Sequence, residues 1–176
     1  MSGLTSRLAL EADLPALEAV MDAAIGELQK GFLSPEQIAA SRTIMGLDRQ
    51  LVADRTYFIV EEAGRIAGCG GWSRRATLYG GDHTPGRDPD LLDPAHDAAR
   101  VRAMYTHPDF ARRGVGRLIL SLCEAAARAE GFARLELMAT LSGRPLYESY
   151  GFAPIEEIVD RRGGAPVPLV RMGRSI

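Results

Sequence analysis

Lysine is almost missing from this sequence: of its 21 basic residues only Lys30 is lysine, and the other 20 are arginine. Against 23 acidic residues the formal net charge is −2. That balance excludes the strongly basic character of a nucleic-acid binder and the one-signed charge of an acidic disordered chain. Arginine favours planar, two-pronged phosphate contacts, but a general composition bias explains the count more simply. Cysteine is scarce as well. Cys69 and Cys123 stand far apart without CxxC spacing, so no disulfide framework is readable. No run approaches the roughly 18 consecutive apolar residues of a membrane span. Residues 1–15 carry neither the apolar core nor the cleavage site of a secretory leader. These absences point to a reduced, cytoplasmic setting with no membrane and no nucleic-acid partner. What is present is 176 residues, 46% hydrophobic and 25% charged, enough to bury one sizeable core. A single domain over residues 1–176 is expected.

Periodicity divides the chain. Ser6 to Leu10 alternates like a short strand, and Asp13 then offers an N-cap. Leu14, Leu17, Met21, Ala24, Ile25 and Leu28 recur at helical spacing, which predicts a helix over about 14–29. Ser34-Pro35-Glu36-Gln37 announces a second helix: Ser34 can cap, Pro35 suits the first position and Gln37 completes a capping box. Tyr57 to Val60 and Ile66 to Trp72, joined by Glu62-Ala63-Gly64-Arg65, read as a hairpin. Gly68, Gly70 and Gly71 mark a bulge or a close backbone approach in it. Residues 73–97 hold three prolines, five aspartates and two histidines, an unusually long connection that reads as an insertion loop. After it come a strand at Val101 to Thr106, a glycine loop, and a helix that Gly131 stops. A strand at Leu135 to Ala139 and a short helix at Pro145 to Tyr150, ended by Gly151, follow. The last strands are expected at Ile155 to Val159 and Leu169 to Met172.

The chemistry concentrates in the loop Arg112-Arg113-Gly114-Val115-Gly116-Arg117. Backbone N–H groups at a helix start, aided by the helix dipole, make an anion site, and glycine lets the main chain come close to a phosphate. Two nucleotide readings fail. A dinucleotide fingerprint needs a third glycine where Ile119 stands, and a P-loop needs a lysine where this chain has none.

The segment Met104-Tyr105-Thr106-His107-Pro108-Asp109-Phe110-Ala111-Arg112-Arg113-Gly114-Val115-Gly116-Arg117 resembles the coenzyme A motif of the GNAT superfamily of N-acetyltransferases. Pro145-Leu146-Tyr147-Glu148-Ser149-Tyr150-Gly151-Phe152 is similar to that family's second signature. Ala111 stands where the family loop usually begins with Gln or Arg, with Arg112 offset by one. The resemblance implies an α/β (α+β) fold: a mixed, mostly antiparallel sheet of six or seven strands, flanked by helices and splayed at its centre where the cofactor enters. It implies acetyl-CoA as co-substrate and no metal. Backbone groups of Met104 and Thr106, with Tyr105 between them, would pair with the pantetheine arm. The amides of Arg112, Arg113, Gly114, Val115, Gly116 and Arg117 would hold the pyrophosphate. Tyr147 would be the general acid that protonates the departing thiolate. The acceptor would be a primary amine of a small molecule or peptide, attacked directly, and a homodimer through the C-terminal strand fits the family pattern.

The general base stays open. The strand before the loop offers Arg100 and Arg102 where a glutamate would be convenient, leaving Glu27, Asp82, Asp97 or an ordered water. Trp72, Ser73, Arg74, Arg75 and Tyr79 could line an acceptor pocket or simply anchor the loop. His83, His96 and the neighbouring aspartates lack ligand spacing and read as a solvated loop. Tyr150 and Cys123 read as core. Two other functions remain: a catalytically weak acyl-CoA-binding or sensing domain, and an interaction module built on 73–97.

Overall fold

The computed structural model describes residues 3–176. Seven strands make one sheet: β1 (Leu4–Leu8), β2 (Tyr57–Glu62), β3 (Arg65–Ser73), β4 (Ala99–Thr106), β5 (Arg134–Thr140), β6 (Ala153–Asp160) and β7 (Val167–Ser175). Their order is β1-β2-β3-β4-β5-β7-β6, and only β4 and β5 run parallel. Five helices flank it: α1 (Leu14–Leu28), α2 (Pro35–Ile44), α3 (Arg49–Ala53), α4 (Val115–Ala129) and α5 (Arg144–Tyr150). The expected mixed, mostly antiparallel sheet is borne out, with seven strands.

The helices cover both faces because their apolar stripes need two separate cores. On one face α4 buries Ile119, Leu120, Cys123 and Ala127 among Val60, Trp72, Val101 and Leu137. On the other, Leu17, Val20 and Met21 of α1 meet Tyr57, Ile59 and Cys69. A third cluster joins Ala40 and Ile44 of α2 to Val167 and Leu169 of β7.

Local signals explain most boundaries. Ser34 accepts from the Gln37 amide at 3.2 Å while the Gln37 side chain accepts from the Ser34 amide at 2.8 Å, the reciprocal box the sequence announces. Asp13 departs from expectation. It makes no side-chain cap for α1; instead it pairs with Arg7 and accepts from the Leu10 amide at 2.8 Å. The first strand sits earlier than its alternation suggested, at Leu4–Leu8, and Ala9 adds one more bond in the same register, its N–H donating to Tyr57 O at 2.8 Å. α3, capped by Asp48, had no hydrophobic period to announce it.

The β3 glycines serve close approach. A Cβ on Gly68 would lie 2.5 Å from Val115 Cγ1, and one on Gly70 would lie 2.9 Å from Ile119 Cγ2. Bare backbone here lets the first turns of α4 settle onto the sheet. Opposite Gly70, β4 bulges: Cys69 faces Tyr105 while Gly71 faces Arg102, and Ala103 takes the left-handed φ of 50°. Among the described residues, no helix is long and apolar enough to cross a membrane.

Candidate active site

β4 and β5 are paired only at Ala99↔Leu135 and Arg100↔Glu136, although both strands run on well beyond. The bulge at Ala103 bends β4 at this point. Its carbonyl is held by the Tyr57 hydroxyl, which donates at 2.6 Å. The sheet therefore opens at its centre, as the resemblance implied, and residues 101–106 border a cleft of about 750 Å³.

The glycine loop stands at one end of that cleft. Arg112 (φ 61°) and Gly114 (φ 86°) are both left-handed, with Arg113 between them outside that region. Such alternation curls successive N–H groups around one point. Among the described residues, none of the six amides from Arg112 to Arg117 donates to a protein acceptor; the first inward bond is Leu118 N–H to Gly114 O, at 3.0 Å. Six unspent donors at the start of a 15-residue helix suit an anion of several oxygens. Arg112 and Arg117 add positive charge in the wall. Arg113 does not: its side chain turns away to Glu62 at 2.7 Å, and it alone of the predicted site residues is absent from the cleft lining. Its amide remains with the others.

Tyr147 comes from α5, whose start packs against the glycine loop through Leu146. Its ring is buried edge-on against Phe152, with centroids 6.0 Å apart. It lines the cleft, and its hydroxyl has no hydrogen-bond partner among the described residues. Burial raises its pKa well above the ordinary 10, so the phenol keeps its proton throughout the neutral range. Met104, Tyr105 and Thr106 join it in the wall. Tyr105 spends its hydroxyl as acceptor for the Gly46 amide at 3.0 Å, fixing the segment after α2 to β4.

The remaining candidates separate. Glu27 pairs with Lys30 on the surface, Asp82 binds the Arg49 amide, and Asp97 accepts from the Asp93 amide; none borders the cleft. Trp72 is core, packed on Phe132 at 6.0 Å, while Arg74 pairs with Glu130 and Arg75 with Asp54. Ser73 and Arg75 border a second cleft of about 460 Å³ instead. Only Tyr79 of that group reaches the main cleft, its hydroxyl donating to Asp160 at 2.8 Å. His96 pairs with Asp93, and His83 lies beside Gly46, so the histidines do not converge. Tyr150, read as core, is half-buried between Arg117 and Arg174 and donates to Glu124 at 2.5 Å.

Sequence reasoning missed Gln29 and Ser41. Both are buried in the cleft wall and joined by a 2.9 Å hydrogen bond. Each sits at a helical position where a polar residue ordinarily meets solvent, so no pattern singles it out.

A half-open sheet with an amide-lined helix start defines the class: a mixed α/β domain whose central cleft suits an anionic ligand. The model of the acetyltransferase (GNAT) domain matches residues 53–154, more than half of the chain, and the chain belongs to that family. Solved structures share the fold over nearly the full length. A GCN5-related N-acetyltransferase from Rhodopseudomonas palustris is 21% identical, with a TM-score of 0.75 and coverage of 100% of this chain and 98% of that one. PaiA N-acetyltransferase from Thermoplasma acidophilum, in complex with coenzyme A, is 14% identical (TM-score 0.65), covering 100% of both chains. The putative acetyltransferase yncA from Salmonella typhimurium, with its cofactor acetyl-CoA, is 18% identical (TM-score 0.63), covering 99% and 94%. No curated protein sequence matches the chain.

Proposed function

We propose that the chain transfers an acetyl group from acetyl-CoA to a primary amine by direct attack, with Tyr147 as general acid. The observation that carries this reading is a run of six unspent amides, five of them on residues of the cleft wall, together with a buried phenol in the same wall that has no partner.

The residues fit the cofactor. Amides 112–117 with Arg112 and Arg117 match a pyrophosphate, and the β5-facing edge of Met104 to Thr106, released from its ladder, matches an extended amide-bearing arm. Acetyl-CoA would supply the activated thioester. Tyr147 holds a proton at Oη and gives it to sulfur as the C–S bond breaks and the N–C bond forms. Burial makes the phenol a weaker acid, so transfer to a thiolate of ordinary pKa about 8.5 requires that the sulfur be desolvated in the same cleft and held within hydrogen-bond reach of Oη. The surplus proton of the new amide nitrogen returns to Tyr147 through solvent, so protons balance over one turnover. Neither thiol serves as a nucleophile: Cys69 and Cys123 are fully buried, and burial pushes both pKa values up, Cys69 to about 12. The whole chain acts as one acetyltransferase domain, in the reducing cytoplasm that two unpaired thiols suit.

Tyr147→Phe tests the assignment. The expected result is a kcat lower by about 10²- to 10⁴-fold with acetyl-CoA affinity unchanged, the usual span for a positioned general acid. A sensor or interaction module would be indifferent to the change, and full retention of kcat refutes the role.

A further inference from the structure

Away from the glycine loop the cleft wall is built by α1, α2, β7 and the segment Leu78–Gly80. Ile25, Leu28, Phe32, Ile44, Leu78 and Val167 make it largely apolar. Among its described residues there is no aspartate or glutamate, and the charges present are the guanidinium groups of Arg102, Arg112 and Arg117. Arg102 has only 2% of its side chain exposed. Its counter-ion Asp48 lies outside the wall, with its oxygens engaged by Arg102 at 2.8 Å, Arg87 at 2.7 Å and the Gln50 amide at 3.0 Å. An ammonium entering here would shed water and find no carboxylate in the wall to take its place, only the guanidinium groups of Arg102, Arg112 and Arg117. A neutral amine gives up only its hydrogen bonds.

One residue of this wall carries an acceptor without a partner. Gln29 is 4% exposed, and its carboxamide orientation is fixed from behind. Nε2 donates to Ser41 Oγ at 2.9 Å and to Ile25 O at 3.4 Å, while the Ser41 hydroxyl spends its own proton on Ile38 O at 2.7 Å. Both neighbours can only accept, so nitrogen must face them, and Oε1 is left buried without a donor. A buried carbonyl oxygen without a partner is costly, and a ligand N–H relieves it.

Resting on the transferase reading above, we propose that the acceptor is an apolar, weakly basic amine that enters uncharged, and that Gln29 Oε1 accepts a hydrogen bond from it. The missing general base then has a reason: an amine that is already neutral needs none.

The test measures thiol release from acetyl-CoA by the full chain at pH 7 with four probes: a ring-substituted aniline, leucinamide, lysine blocked at its α-amine, and spermidine. Calorimetry follows acetyl-CoA binding separately. The aniline and leucinamide are expected to exceed lysine and spermidine in kcat/KM by about 100-fold or more. An α-amine near pKa 8 keeps about a tenth of its molecules neutral at pH 7, whereas a lysine-type amine keeps fewer than about one in a thousand. Gln29→Leu should raise the acceptor KM about tenfold, with the acetyl-CoA affinity unmoved. Gln29→Glu, of the same shape, should instead shift preference toward lysine and spermidine, which a merely structural role would not do. Preference of the wild-type protein for spermidine or lysine overturns the proposal, as does an unchanged acceptor KM in Gln29→Leu. Absence of acetyl-CoA binding refutes the transferase reading itself and the proposal with it.

Discussion

Asp160→Asn should loosen the junction between the long loop and the β6–β7 turn by an amount the structure allows to be worked out. Asp160 closes β6 and is 5% exposed. Its carboxylate accepts from the Arg162 guanidinium at 2.6 Å and amide at 2.9 Å, and from Tyr79 at 2.8 Å. Arg162 in turn stacks on the Tyr79 ring at 5.4 Å and donates to Pro85 O at 2.7 Å. One carboxylate thus ties the long loop to the β6–β7 turn. The Arg162 guanidinium, above all, holds Asp160 at about 2, against an ordinary 3.8. At about 1.4 kcal/mol per tenfold, that difference is worth at most about 2.5 kcal/mol. Arg162 is 38% exposed, and solvent screening brings the expected loss to about 1–2 kcal/mol. For a chain of this size the melting temperature should fall by about 2–8 °C at pH 7. The sign with pH follows from a depressed carboxylate. Its contribution is complete above about pH 5 and decays as pH falls toward the folded value, with about half remaining near pH 3. Urea unfolding of both proteins at pH 7, 5 and 3.5 checks this. A gap between them at pH 7 that fails to narrow at pH 3.5, or no gap at all, refutes the reasoning.

Arg102→Met should destabilise by about 3–5 kcal/mol in urea unfolding, because Asp48 stays fully buried with only Arg87 as ion partner. Adding Asp48→Leu should recover much of that loss. The two loop glycines should respond differently. Gly114→Ala meets no atom within 4 Å and costs about 1–2 kcal/mol for its left-handed backbone alone. Gly116→Val drives a side chain into Leu146, 2.5 Å from the Cβ position, and should weaken acetyl-CoA binding in calorimetry well beyond Gly114→Ala.

What could be read ahead of the structure was whatever short-range chemistry decides. The Ser34 capping box, the hairpin through Gly64, the α4 stripe and the Gly151 stop all stand where the sequence placed them. The loop amides and Tyr147 were legible because strand, glycine loop and helix are contiguous. The acceptor end was not. Gln29, Ser41, Tyr79 and Val167 come from four distant segments, and only tertiary packing brings them into one wall. Ala103 carried no signal at all: alanine rarely adopts positive φ, and the strain is tolerated because Tyr57 and the facing strand hold the bulge. Trp72 misled for the opposite reason, since a strand end beside a loop reads as exposed while β3 continues to Ser73.

The two rungs that join β4 to β5 also set how the molecule should breathe. Four strands lie on one side of that seam and three on the other, so the sheet behaves as two leaves sharing a short spine. A strand-like guest seated along Met104–Thr106 would lengthen the spine and lock the leaves together. Occupancy would then be felt far from the cleft. Amide hydrogens of β5 and β7, across the seam from that guest's seat on β4, should exchange more slowly when the seam is filled, and a small molecule would act as a missing strand of the fold.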